Sequence, residues 1–144
     1  MADPDPQRRD TAAALGATDV LASVADADER GYDAVIECVG RPELLAACQP
    51  ALRPCGTRAI SGACAESTSI EPVTALLKEL AIRYSVAYTL DEFTEVVEAF
   101  GSGAIDPTPT IGPTFELARV GDAFEAVRSA REHGRVAVTP SAMP

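Results

Sequence analysis

The sequence has one histidine, His133, no C-x-x-C pair among its four cysteines, and no window approaching the roughly 20 apolar residues that a membrane span requires. Nor does it open with a basic segment followed by an apolar one, so it is expected to stay in the cytoplasm. Cys38, Cys48, Cys55 and Cys64 stand ten, seven and nine residues apart. That spacing with a single histidine builds no zinc site, and reduced thiols are expected. Cys38 reads as a small core residue within an apolar strand, and Cys55 as an exposed thiol on a turn. Positive charge is scarce too: the net charge of −10 argues against nucleic acid or an anionic membrane as a partner, since both need a basic surface to displace counterions. Carboxylate pairs such as Glu92 and Glu95 belong to a solvated helix face. No nucleophile–base constellation, internal repeat or low-complexity tract is present.

What is there is enough for a core, with 47% hydrophobic residues over 144 positions. Residues 5–15 read as a helix, with Pro6 in the first turn, Arg8 and Arg9 outward, strong formers from Ala12 to Leu15 and a stop at Gly16. Asp19 to Ser23 reads as a short strand. Ala34 to Val39 is apolar and β-branched and ends at Gly40, the pattern of a parallel strand buried on both faces. Its one charge, Glu37, must point to a strand end, a cleft or a partner. Pro42 opens a helix through Leu44, Leu45 and Cys48, Pro54-Cys55-Gly56 turns the chain, and Thr57 to Ser61 gives a strand closed by Gly62. A helix over 72–80 and a strand over 81–88 follow. Such alternation predicts parallel β-α-β architecture.

The clearest helix starts at Thr89-Leu90-Asp91-Glu92, a capping box, with Phe93, Val96, Val97 and Phe100 on one apolar face and a stop at Gly101. After the proline-rich IDPTPTIGPT, a last helix places Leu117, Val120, Phe124 and Val127 on one side. Arg135 to Thr139 alternates as a strand and stops at Pro140. His133, before a glycine at a helix end, suits an interaction with the helix dipole.

The stretches ADPDPQRRDTAAALGATDV, YDAVIECVG, ALRPCGTRAISG, KELAIRYSVAYTLDEFTEVVEAFGSGAIDPTP and GDAFEAVRSAREHGRVAVTP, in that order, span about Asp3 to Pro140. Each is unspecific by itself. Their order and spacing resemble the second half of the zinc-type medium-chain dehydrogenases, the alcohol and polyol dehydrogenase family, and AYTLDEFTEVVEAF looks most like its polyol, butanediol and threonine branch. The resemblance implies an α/β fold, a partial Rossmann-like parallel sheet with flanking helices. Residues 1–104 would be a dinucleotide-binding domain lacking its first two strands and glycine loop, and residues 105–144 the return to the substrate domain. In the usual strand order 3-2-1-4-5-6, the strand at 19–23 would then have no neighbour and the strand at 34–39 an uncovered edge.

The same resemblance carries cofactor residues over. Counting back from Gly16-Ala17-Thr18, Asp3 matches the acid that accepts hydrogen bonds from the adenosine ribose, and Arg8 a basic residue beside it. An acid there favours NAD over NADP by repelling a 2′-phosphate. The plainer alternatives are a frayed terminal residue and a solvated helix arginine. Backbone at Val39, Gly40, Ser61, Gly62 and Ala63 would lie along the cofactor, and that of Ser85 to Ala87 would meet the nicotinamide. Glycines at strand ends also serve simply to turn the chain. Two positions depart from the family: its Arg-Pro-Gly-Gly turn reads Arg53-Pro54-Cys55-Gly56 here, and Tyr84 stands where the sixth strand carries glycine. Either side chain would be penalised by a positive φ or a tight backbone approach.

No G-x-G-x-x-G is present to hold a pyrophosphate at a helix N-terminus, and no zinc ligand set to polarise an alcohol oxygen. The sequence therefore predicts a truncated dehydrogenase, with NAD binding weak or absent, no zinc, no catalytic residue and no activity alone. The alternative is a non-catalytic interaction module that pairs through exposed sheet edges with a second copy or a full-length dehydrogenase subunit. A third option is complementation by a separately encoded N-terminal half.

Overall fold

In a computed structural model, which describes residues 1–28, 31–129 and 134–140, the elements run α1 (Pro6–Ala14), β1 (Tyr32–Glu37), α2 (Pro42–Ala47), β2 (Leu52–Ile60), α3 (Pro72–Leu77), β3 (Ala81–Tyr84), α4 (Leu90–Gly101), β4 (Ile111–Glu116), α5 (Val120–Arg128) and β5 (Arg135–Thr139). They form two compact units: residues 1–4 with 19–88, and residues 5–18 with 89–144. No helix among the described residues is long and apolar enough to cross a membrane.

The first unit holds a three-stranded sheet in the order β1-β2-β3, parallel throughout. Parallel pairing follows from sequence, because each strand is followed by a proline-opened helix that carries the chain back before the next strand. Burial along β2 alternates, with Gly56, Arg58 and Ile60 buried on one face. That face meets the end of α2, where Leu45 and Cys48 join Ala51, Leu52 and Ile60 in the core. Arg58 is 1% exposed in this core; its Nη1 donates to the Leu45 carbonyl in α2, while its buried Nε has no hydrogen-bond partner. Gln49, also buried, exchanges bonds with the main chain of Glu71 at the start of α3, Nε2 donating to its carbonyl and Oε1 accepting from its N–H.

Four sequence expectations change here. The run 34–39 reads as buried on both faces, yet Ile36 is 69% exposed and Val39 60%, while β1 is the edge strand that the resemblance implies. Pro54-Cys55-Gly56 reads as a turn but lies inside β2, where the pairing with β1 shifts between Tyr32 and Ala34; the extra residues loop out as a bulge and the strand continues. β3 ends at Tyr84, so residues 85–88 are no strand, although the Ser85 N–H still donates to the Ile60 carbonyl at 2.9 Å. The run 19–23 forms no strand, only a single parallel bridge, Ala2 to Leu21. Leu21 is thereby not without a neighbour: its N–H donates to Met1 O at 2.8 Å and its carbonyl accepts from Asp3 N at 3.0 Å.

In the second unit α1 begins at Asp5, whose carboxylate accepts from Gln7 N, with Pro6 at the first helical position. The capping box of α4 is present as read: Thr89 Oγ1 accepts from Glu92 N, and Glu92 Oε2 accepts from Thr89 N at 2.6 Å. The two bonds that Thr89 donates to this carboxylate, from its N–H first and from Oγ1 at 3.0 Å second, hold the Glu92 carboxyl below the usual carboxylate range. The apolar face of α4 is only half covered, since Phe93, Val96, Val97 and Phe100 remain exposed. Part of the proline-rich stretch is a strand that the sequence reading did not provide: β4 pairs in parallel with β5. Pro113 fits because it lies where the register shifts between Ile111 and Thr114, a place that needs no ladder donor. α5 closes this unit, with Ala123 buried. His133 lies outside the described residues.

Candidate functional site at the carboxyl ends of the parallel strands

Both β1 and β2 run out into glycine-containing segments, Cys38-Val39-Gly40 and Ser61-Gly62-Ala63, and their backbones cross closely. A Cβ on Gly40 would collide with Ala63 O and Gly62 C, and one on Gly62 with Gly40 N and Val39 C. Gly40 also adopts φ +77°, a conformation that other residues take only under strain. The structure thus brings Val39, Gly40, Gly62 and Ala63 together through main chain alone.

Glu37, the last residue of β1, organises this crossing. It is 4% exposed. Its Oε1 accepts from Val39 N at 2.7 Å and Gly40 N at 2.8 Å, and its main-chain oxygen accepts from Ser61 N at 2.8 Å and Gly62 N at 3.0 Å. Its Oε2 is buried with no hydrogen-bond partner. Of the sequence alternatives for Glu37, the strand end is the one realised. It was absent from the expected site residues, although a lone charge in an apolar strand was the available signal.

The other expected residues fall as follows. Ser85 and Ala87 lie beyond the end of β3, exposed, with Ser85 tethered to Ile60. Asp3 is partly buried just after the Ala2–Leu21 bridge in the first unit. Arg8 belongs to the second unit, where it makes a 3.8 Å ion pair with Asp5 and lines a cavity of about 450 Å³ with Thr11, Pro109, Thr110, Gly134 and Arg135. Arg135 gave no signal in the sequence beyond its place at the start of a strand.

The cysteines also redistribute. Cys38 is exposed, contrary to its reading as a core residue, and lies just past the end of β1. Cys48 is the buried one, and its thiol pKa is raised by burial first and then by Glu37, with Arg58 acting the other way. Cys55 is exposed as expected. Among the described residues no three His, Cys, Asp or Glu side chains converge as metal ligands, so these residues do not fit a zinc ion.

The sequence profile of the zinc-binding dehydrogenases matches residues 10–138. No curated protein sequence matches the chain. Among solved structures, a protein of Sinorhizobium meliloti assigned as a zinc-binding dehydrogenase and bound to NADP is similar at 24% identity and a TM-score of 0.87, over 96% of this chain and 44% of that one. An alcohol dehydrogenase of Escherichia coli complexed with NADH is similar at 21% identity and a TM-score of 0.85, over 96% and 43%. The 2R,3R-butanediol dehydrogenase of Bacillus subtilis is similar at 20% identity and a TM-score of 0.84, over 97% and 43%. The chain spans less than half the length of these structures. Its parallel strands and flanking helices are those of their Rossmann-like fold, and the profile match covers most of its length. The chain belongs to the zinc-binding dehydrogenases.

Proposed function

We propose that the chain is the adenosine-and-nicotinamide wall of a zinc-type medium-chain dehydrogenase, a part of a machine whose whole reaction is the NAD-dependent oxidation of an alcohol or polyol, and that it is inactive alone. The observation that carries this is the crossing of Val39–Gly40 with Gly62–Ala63, where two parallel strands end in bare main chain. Carboxyl ends of parallel strands are where open α/β sheets bind ligands. NAD, when bound, would supply the hydride acceptor. Residues of the first unit suit part of that cofactor: Asp3 would accept from the ribose hydroxyls, and Ser85 to Ala87 lie on exposed main chain past β3. They do not fit the pyrophosphate, because no glycine loop is present.

Calorimetry with NAD, NADH and NADP tests this. Binding weaker than low micromolar is expected, with NAD ahead of NADP because Asp3 repels a 2′-phosphate. A low-micromolar dissociation constant would mean that the glycine loop is dispensable, and a preference for NADP would remove Asp3 from the ribose.

A second reading, an interaction module pairing through sheet edges with a second copy or a full-length dehydrogenase subunit, is supported by the exposure of Ile36 on the edge strand β1 and of Val86 beyond β3. An open edge leaves N–H and C=O groups beside apolar side chains, and pairing relieves both costs. Ile36→Lys should disperse association through the first edge and Val86→Lys through the second. Sedimentation of the wild type and both variants decides; a wild type that stays monomeric at high concentration overturns the edge reading.

A further inference from the structure

We propose that Glu37 is the positioning residue of the cofactor-facing main chain, a built-in anion that fills the amide nest of Val39 and Gly40 from inside the sheet and fixes the crossing with Ser61 and Gly62. The inference rests on the cofactor reading above for what the crossing faces, and on geometry alone for how it is held. Consecutive N–H groups converging on one point, with a glycine at positive φ, are the arrangement by which main chain binds anions. Here both N–H groups converge on Oε1 of a side chain from the preceding strand residue, within 2.8 Å. The Glu37 main-chain oxygen takes the Ser61 and Gly62 amides in turn. One residue therefore accepts from four main-chain N–H groups at the two strand ends.

Two consequences follow. With the Val39, Gly40, Ser61 and Gly62 N–H groups satisfied internally, these four have no hydrogen to offer a phosphate, which suits the crossing to the uncharged hydroxyl and carboxamide groups at the nicotinamide end of a dinucleotide. And Gly62 is explained twice over, since a Cβ there would stand 2.6 Å from Glu37 Oε2 as well as against the Gly40 backbone. The side chain and the glycine fit as a pair.

The test uses the full chain, with amide hydrogen exchange followed by NMR in the wild type, Glu37→Ala and Glu37→Gln. In the alanine variant the Val39 and Gly40 amides should exchange about tenfold faster or more, while formate, a free carboxylate small enough to enter the vacated nest, should restore their protection. Glutamine keeps a carbonyl acceptor of the same reach and should stay within about threefold of wild type, which decides the matter even if the alanine variant fails to fold. Val39 and Gly40 amides that already exchange freely in the wild type, or a folded Glu37→Ala that leaves them protected, overturns the clamp. So does acceleration unaffected by formate. Adding NADH at millimolar concentration separates the two layers: shifts at residues 39, 40, 61 and 62 in the wild type, diminished in Glu37→Ala, support positioning. Unchanged shifts in the alanine variant overturn it. No shift in the wild type, with the exchange pattern as expected, sinks the cofactor reading and leaves Glu37 as a clamp without that purpose.

Discussion

Where β1 and β2 run out, the chain carries glycine at both places, Gly40 and Gly62, where a Cβ would strike main chain; near the start of β2 it carries Cys55 at φ 59°, and opposite it Glu79 at φ 51°. The two ends of one sheet treat unusual backbone differently, and the reason is the kind of obstacle. At the glycine end the obstacle is steric, another backbone that cannot give way, and Glu37 Oε2 fills the remaining space. At the cysteine end it is torsional: the Cys55 side chain is exposed, so its cost is that of a left-handed residue, about 1–2 kcal/mol. That cost is met by the surrounding bonds. Cys55 N donates to Lys78 O at 2.7 Å, Sγ lies 3.6 Å from Glu79 Oε2, and Lys78 Nζ donates to the carbonyls of Pro50 and Leu52 at 2.8 and 2.6 Å.

The largest effects should fall at the glycine end. Gly40→Ala and Gly62→Ala each force main chain apart, and Gly40→Ala adds a positive φ; about 3 kcal/mol of destabilisation is expected, a fall in Tm of roughly 10 °C. Thermal unfolding checks this. A loss below about 1 kcal/mol in either variant would mean that the crossing can spread, and the contrast between the two ends would disappear.

Much of this contrast could be read from the residues. Alternation of apolar runs with proline-opened helices gave the parallel architecture, and the capping box of α4 was legible because it is local, four residues whose bonds depend on little else. The departure at Cys55 was legible as a penalty, and the positive φ is there. That at Tyr84 was not: Tyr84 sits in a regular strand, exposed, and the structure contains no explanation for the departure. What depends on neighbours was harder. Ala34 to Val39 has the composition of a strand buried on both faces; its edge position was implied by the resemblance, but the exposure of Ile36 depends on what packs against that face. β4 was hidden because glycine and proline argue against a strand unless a register shift accommodates them. Glu37 was visible as an anomaly, but its role needed the loop after β2, 24 residues away at Ser61, to come back beside it.

An intermediate effect is expected from Lys78→Met. The substitution keeps the aliphatic stem and removes the ammonium group that satisfies Pro50 and Leu52 carbonyls at the entry to β2. Two charge-assisted bonds are lost, but the site is only partly buried and water can replace some of them, so about 1.5 kcal/mol is expected in denaturant unfolding. A neutral result would show that the cysteine end is held by Cys55 and Glu79 alone.

The smallest effect has the opposite sign. Cys55→Gly relieves the left-handed strain, about 1–2 kcal/mol, and restores the doubled glycine of the family's turn, but it gives back about 0.5–1 kcal/mol of backbone entropy in the unfolded chain and the weak thiol contact with Glu79. The balance is a gain of about 0.5 kcal/mol, a rise in Tm of a degree or two. Equal stability of Cys55→Gly and Cys55→Ala would locate the cost in the thiol, not in the torsion. A loss in Cys55→Gly alone would mean that the Sγ bond to Glu79 outweighs the strain, so that the cysteine holds the bulge in place, as Glu37 holds the crossing at the other end.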